Sequence, residues 1–180
     1  VLVRAATVPD ARRTAQSGPL EKIVGGVHYL MKKNEITEIH GLGTFKDAST
    51  IEITEGDDAG KTVTFDNCII ASGSSVKTLP GTQLSDRVVT YREQILSDEV
   101  PESIIIAGSG AIGTEFAYVL ANYGAKVTIV EYLDRMVPNE DPEVSKELTR
   151  AYKRMGVKVM ASTKVDAIDD SGDKVKVTVS

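Results

Sequence analysis

Ser103-Ile104-Ile105-Ile106-Ala107-Gly108-Ser109-Gly110-Ala111-Ile112-Gly113, followed eighteen residues later by Glu131, is the most informative stretch of this chain. It reads as strand, glycine turn, helix, second strand and acidic tip, the order of a dinucleotide-binding βαβ unit. Ile104 to Ile106 form an unbroken apolar run, as a parallel strand covered on both faces requires. Gly108 permits the tight turn, Gly110 lets a pyrophosphate come up to the backbone, and Gly113 lets the first helix pack closely on the strand. The free N–H groups and positive dipole end of that helix suit a phosphate. Its expected buried stripe is Phe116, Val119, Leu120 and Tyr123, and Gly124 stops it in a left-handed conformation.

The next strand, Lys126 to Val130, delivers Glu131 to its carboxyl end. A carboxylate there can accept hydrogen bonds from both hydroxyls of an adenosine ribose and repels a 2′-phosphate, which favours NAD over NADP. Two rival readings stay open. One is a glycine-rich turn that binds nothing; the other is an S-adenosylmethionine site, which also places an acid after the second strand. Gly113, on the packing side of the helix, favours the dinucleotide.

A net charge of −5 argues against nucleic acid or an anionic membrane as partner. Arg4, Arg12 and Arg13 read as a solvated helix face. No run approaches the roughly 20 apolar residues of a membrane span, and no signal peptide is visible. The single cysteine excludes an intrachain disulfide and suits a reducing, cytoplasmic compartment. The chain starts at Val1 and stops at Ser180 inside the alternating run Lys174 to Val179, so a fragment of a longer protein is expected.

Upstream, a helical pattern spans Ala11 to Lys33, broken or restarted at Gly18-Pro19, with Lys32-Lys33 suiting its C-terminus. A short strand is expected at Ile36 to Ile39. Thr50 to Thr54 and Lys61 to Phe65 form a β-hairpin around a polar turn. Cys68-Ile69-Ile70-Ala71 reads as a buried parallel strand, so Cys68 is expected to be a quiet core thiol. The pattern loosens from Val76 to Pro101, with a turn at Pro80-Gly81, a short strand at Val88-Val89 and a helix from Tyr91 to Leu96. Past Glu131, Asp141 is the N-cap and Pro142 the first residue of a second helix. Its stripe is Val144, Leu148, Ala151 and Met155, and Gly156 ends it. Val157 to Met160 is a third parallel strand, and Thr163 to Ile168 with Lys174 to Val179 a second hairpin. Each half thus runs helix, parallel strand, antiparallel hairpin. His28 and His40 are isolated and read as structural, with no metal site.

That duplicated pattern, with Gly-Val-His-Tyr-Leu-Met-Lys-Lys-Asn at 26–34, Ile39-His40-Gly41-Leu42-Gly43-Thr44-Phe45, Ala71-Ser72-Gly73-Ser74 and Glu115 in the glycine-loop helix, resembles the dihydrolipoyl dehydrogenases, a branch of the FAD- and NAD-dependent disulfide reductases. The resemblance runs from Lys22 to Ser180. It implies an α/β fold: a Rossmann-like NAD-binding domain of parallel sheet plus antiparallel meander, joined to part of a related FAD-binding domain. The expected division is 1–85, the distal part of the FAD domain, and 86–180, the NAD domain without its last strand. By position, Gly108, Ser109, Gly110, Ala111, Ile112, Gly113, Thr114 and Glu115 match the NAD pyrophosphate loop, Glu131 the ribose ligand and Val165 a backbone contact to adenine. Gly43 matches the close approach of the FAD adenine, and Ser72, Gly73 and Ser74 the element beside the flavin nucleotide. Glu115, placed in the first helical turn, pairs in the family with a lysine that this chain does not contain.

The family's CxxxxC redox pair, first FAD-binding GxGxxG and His-Glu acid/base pair are absent from these 180 residues. No catalytic residue is therefore expected here. The resemblance implies a parent enzyme passing electrons from dihydrolipoamide through a disulfide and FAD to NAD⁺, working as a homodimer on 2-oxoacid dehydrogenase complexes, with this chain as the NAD platform. Mercuric or glutathione reductase, and a non-catalytic NAD(H)-binding module, are the alternatives. Glutathione reductase is the weaker, because Tyr132-Leu133-Asp134 follow Glu131 where an NADP enzyme would place arginines.

Overall fold

The computed structural model describes the backbone of residues 2–4, 7–9 and 17–180, and the side chains of residues 21–180. In chain order the elements are β1 (Leu2–Arg4), β2 (Thr7–Pro9), α1 (Ser17–Lys33), β3 (Leu42–Asp47), β4 (Thr50–Glu55), β5 (Thr62–Thr64), β6 (Val88–Val89), α2 (Tyr91–Leu96), β7 (Glu99–Pro101), β8 (Ser103–Ala107), α3 (Ala111–Asn122), β9 (Lys126–Val130), α4 (Pro142–Arg154), β10 (Lys158–Met160), β11 (Val165–Asp169) and β12 (Lys176–Val179). They fall into two compact units, Val1–Thr14 with Val76–Ser180, and Ala15–Ser75.

In the larger unit β8, β9 and β10 are parallel, in register from Ser103↔Lys126 to Ala107↔Val130 and from Thr128↔Lys158 to Val130↔Met160. Helices α3 and α4 make the two crossovers, the connection that parallel neighbours require. On the other side of β8 the sheet continues through β1, antiparallel at Val3↔Ile105, to β6 at Val3↔Val88. The pair β2–β7 forms a separate ribbon and β11–β12 a hairpin. The three-residue strands β1, β2 and β7 are too short to show a sequence periodicity and were not expected. Arg4 lies in β1 instead of a helix; Arg12, Arg13 and the expected helical start at Ala11 lie outside the described residues.

Ile104, Ile106 and Ile129 are buried to within 1% and meet Ala117 and Leu120 of α3, Tyr152 of α4, and Met136. Each such isoleucine contributes roughly 1.5–3 kcal/mol relative to exposure. Ile105 is only half-buried, so one face of β8 is covered more completely than the unbroken apolar run implies.

Both helices are rotated from their expected stripes. In α3 the buried residues are Thr114, Ala117 and Leu120, while Val119 and Tyr123 face solvent and Phe116 packs at the margin. Small side chains lie against the sheet because Gly113 brings the helix close. In α4, Ser145 and Tyr152 are buried and Leu148 and Ala151 half-buried, whereas Val144 and Met155 are exposed. The polar atoms on this face find partners: Ser145 Oγ donates to the carbonyls of Asp141 (3.3 Å) and Val137 (3.4 Å), and the Tyr152 hydroxyl to that of Thr114 (2.8 Å). Satisfied polar groups can be buried cheaply, so counting apolar residues misplaces the face. The punctuation is as expected: Asp141 caps α4 with Pro142 next, and Gly124 and Gly156 have φ of +92° and +83°.

Residues 76–85 group with the larger unit. Ser85 hydrogen-bonds the Asp170 carboxylate. Arg87 donates to the carbonyls of Asp170 (3.2 Å), Gly172 (2.7 Å) and Asp173 (2.8 Å) and pairs with the Asp170 carboxylate at 2.6 Å. These bonds clasp the β11–β12 turn. Helix α2 starts in a capping box, where Thr90 holds the Arg92 N–H and Glu93 reaches back to the Thr90 N–H at 2.7 Å.

The smaller unit has α1 and an antiparallel meander β3–β4–β5. Helix α1 runs through Gly18-Pro19, since a first-turn proline has no intrahelical N–H bond to lose. Ile36 to Ile39 is not a strand. Its neighbourhood is held otherwise: Ile36 N–H bonds the Met31 carbonyl, Glu38 pairs with His28 at 2.7 Å, and His40 N–H bonds the Asp58 carboxylate at 2.7 Å. The strand comes later, as β3. Cys68 to Ala71 is irregular and exposed, with Ile69 92% accessible, because no described strand lies alongside to pair with it. Cys68 is therefore an exposed thiol and not a core residue. The echo between halves fails here, since the described residues of this unit contain no parallel strand.

Candidate nucleotide-binding site

Gly108 leaves β8 with φ of +103°, a conformation only glycine adopts freely, and its N–H bonds the Val130 carbonyl at 2.8 Å. Gly110 is the N-cap of α3 and supplies no side-chain cap. The N–H groups opening α3 therefore carry partial positive charge with no capping oxygen, the state that receives an anion. A Cβ on Gly110 would meet nothing within 4 Å, so this glycine leaves open space. A Cβ on Gly113 would stand 2.1 Å from the Gly108 carbonyl oxygen, so this glycine is a packing requirement. Ala111 and Ile112 are exposed at the mouth, and Thr114 Oγ1 turns back onto the carbonyls of Ala111 (2.9 Å) and Gly110 (3.1 Å). Glu115 is exposed and lies one residue beyond the first turn, which holds no acidic residue.

Glu131 follows β9 and is 7% exposed. Its Oε2 accepts from both the N–H and the hydroxyl of Ser109 at 2.7 Å, and its Oε1 from Leu133 N–H at 2.8 Å. Its backbone is gripped as well: its N–H bonds Met160 and its carbonyl accepts from Thr163 N–H at 2.9 Å. Thr163 leads into β11, so Val165 lies two residues beyond the one bonded to the acidic tip. Val137 N–H closes the loop onto the Ser109 carbonyl at 3.0 Å, with φ of +40°. For a β-branched residue that backbone is strained by roughly 1–3 kcal/mol.

The glycine turn and Glu131 thus meet as the spacing requires. The bonds from Leu133, Val137 and Tyr152 were not foreseen, nor was the role of the Ser109 hydroxyl. A serine inside a glycine turn is the one signal that could have pointed to the last. An uncapped helix end and a held carboxylate fit the pyrophosphate and ribose of a dinucleotide.

The residues expected at a flavin, Gly43 and Ser72 to Ser74, all lie in the smaller unit. Gly43 lies in β3, where a Cβ would meet Ile51 Cγ2 at 3.0 Å, so its own sheet takes up that space. Ser72, Gly73 and Ser74 lie in an exposed irregular segment. Among the described residues no three potential metal ligands cluster, and no helix is long and apolar enough to cross a membrane.

Three parallel strands joined by α3 and α4, with the glycine turn at their carboxyl ends, define a Rossmann-like nucleotide-binding fold. The chain belongs to the pyridine nucleotide-disulphide oxidoreductase family, whose model matches residues 2–180. It is 58% identical over 168 residues to dihydrolipoyl dehydrogenase of Corynebacterium glutamicum, covering 93% of this chain and 36% of that protein. It is 60% identical over 157 residues to that of Mycobacterium tuberculosis, covering 87% and 34%. The chain spans about a third of the length of these curated relatives. Among solved structures, LpdA from M. tuberculosis superposes with a TM-score of 0.76 at 25% identity, covering 86% of this chain and 35% of that one. A ferredoxin reductase from Rhodopseudomonas palustris (0.70, 22%, covering 84% and 39%) shares the fold.

Proposed function

We propose that this chain is the NAD(H)-holding part of a dihydrolipoyl dehydrogenase. In the whole protein, dihydrolipoamide carried by a 2-oxoacid dehydrogenase complex reduces a disulfide, the disulfide reduces FAD, and the flavin passes hydride to NAD⁺. The division of labour follows the two units, with an NAD domain around β8–β10 and a distal portion of an FAD domain upstream. A homodimer in a reducing, cytoplasmic compartment completes the reading. The observation that carries it is the uncapped α3 N-terminus, with Gly110 leaving open space and Glu131 anchored at the end of β9. The identity to dihydrolipoyl dehydrogenases supports it. With one cysteine in its sequence, the chain alone turns nothing over.

Calorimetric titration with NADH, repeated with NADPH and on Glu131→Ala, tests this. Saturable NADH binding that NADPH does not reproduce and the variant loses is expected. A folded sample that ignores NADH would overturn the assignment.

A further inference from the structure

We infer that the Ser109 hydroxyl is a positioning and specificity-determining group that acts through Glu131; this deepens, and rests on, the dinucleotide reading above. Ser109 is fully buried (0% exposed), so its hydroxyl is not available to a ligand. Its hydrogen has one destination, Oε2 of Glu131, which also receives the Ser109 N–H. A carboxylate has about four lone-pair directions. Two of these, on Oε2, are taken by Ser109, and a third, on Oε1, by Leu133 N–H. The remaining acceptor direction is on Oε1, so Glu131 has room to accept one ribose hydroxyl and not the two that its position in the sequence had suggested.

Two donors from one residue fix the carboxylate far better than one. Without the hydroxyl each oxygen keeps one N–H bond, from Ser109 on Oε2 and from Leu133 on Oε1, and the terminal torsion, broad for a glutamate, is held less tightly. With the hydroxyl present, Oε2 is pinned inward and Oε1 outward. The Ser109 carbonyl meanwhile accepts from Val137 N–H, so the residue that aims Glu131 is itself held on its other side. A pinned negative charge accepts a hydroxyl and cannot swing clear of a 2′-phosphate. Ser109 therefore sharpens the choice of NADH over NADPH without touching either.

The test titrates NADH and NADPH into this chain as wild type, Ser109→Ala, Glu131→Ala and the double variant, with folding checked by near-ultraviolet dichroism. Ser109→Ala is expected to weaken NADH about tenfold, the size of a network coupling, while NADPH is unchanged or tighter, so the ratio narrows. In the Glu131→Ala background the same change has no further effect. Should Ser109→Ala not fold, Ser109→Cys keeps the bulk and weakens the donor, and the same narrowing is expected. A variant binding NADH as wild type does, an equal loss for both nucleotides, or full additivity with Glu131→Ala overturns the role of Ser109 alone. Folded wild-type chain that binds no NADH instead overturns the dinucleotide reading itself.

Discussion

Gly110, the N-cap of α3, and Gly113, in its first turn, stand three residues apart, and the structure gives them opposite jobs. Alanine at 113 would place its Cβ 2.1 Å from the Gly108 carbonyl oxygen, 3.1 Å from its carbon and 3.4 Å from Ile106 Cγ2. Moving the oxygen out to a tolerable 3.0 Å shifts α3 by about 0.9 Å from the turn. A gap of that size forfeits a quarter to a half of each dispersion contact made by Ala117 and Leu120. Overpacking against fixed backbone costs about 3 kcal/mol, which lowers the melting temperature of a chain this size by roughly 6–12 °C. Alanine at 110 meets nothing, and φ of −67° suits it. Its cost is about 0.5–1 kcal/mol, from the poorer N-cap, yet its methyl stands where the pyrophosphate is proposed to lie. Thermal melts with and without NADH separate the two. Gly113→Ala melts early in both; Gly110→Ala melts near wild type but gains nothing from NADH. Equal melting temperatures for the two variants without nucleotide would refute the packing argument.

Tyr152→Phe removes the 2.8 Å bond to the Thr114 carbonyl and is expected to cost about 1 kcal/mol in urea unfolding. Burial, with the Glu115 charge next, raises the Tyr152 phenol above its ordinary 10.0, so its contribution is full below that value and fades as pH rises through the raised one; the variant should lose that alkaline decline. The hydroxyl and N–H of Thr90 hold the Glu93 carboxyl below its ordinary 4.5, so the α2 cap is complete above that value and is lost as pH falls through the lowered one. Glu93→Gln should flatten the acid limb of a stability–pH curve, and an unchanged limb would remove the cap from the account. Replacing Arg87 by methionine should release the β11–β12 turn, seen as faster hydrogen exchange at residues 169–176 with little change in β8 and β9.

The run β8–α3–β9–α4–β10 was legible because each of its signals is local: an apolar strand, glycines at fixed offsets, a cap at Asp141 and stops at Gly124 and Gly156. The faces of α3 and α4 were not, because Ser145 and Tyr152 are buried through hydrogen bonds that a count of apolar residues ignores. Cys68 to Ala71 has the composition of a buried strand, but burial needs a neighbour, and composition does not supply one. The short strands β1, β2 and β7 exist only through partners far away in the chain. At the site, the three glycines and Glu131 could be read from spacing alone. The closure of Leu133 and Val137 around Ser109 and Glu131 is a matter of loop conformation that spacing does not encode.

The larger unit is discontinuous in sequence, and this bears on how the chain assembles. Ile105 meets Thr128 across a crossover of about two dozen residues, but it meets Val3 only after about a hundred. The local crossover unit is expected to form first, with β1 docking late as the last strand recruited. All of Ala15–Ser75 lies inside the loop that β1 must close. Because the entropy of closure grows only logarithmically, halving that excursion would change the docking of β1 by no more than about 0.6 kcal/mol. The intervening segment is thus free to lengthen, shorten or be exchanged with almost no effect on the sheet that carries Glu131.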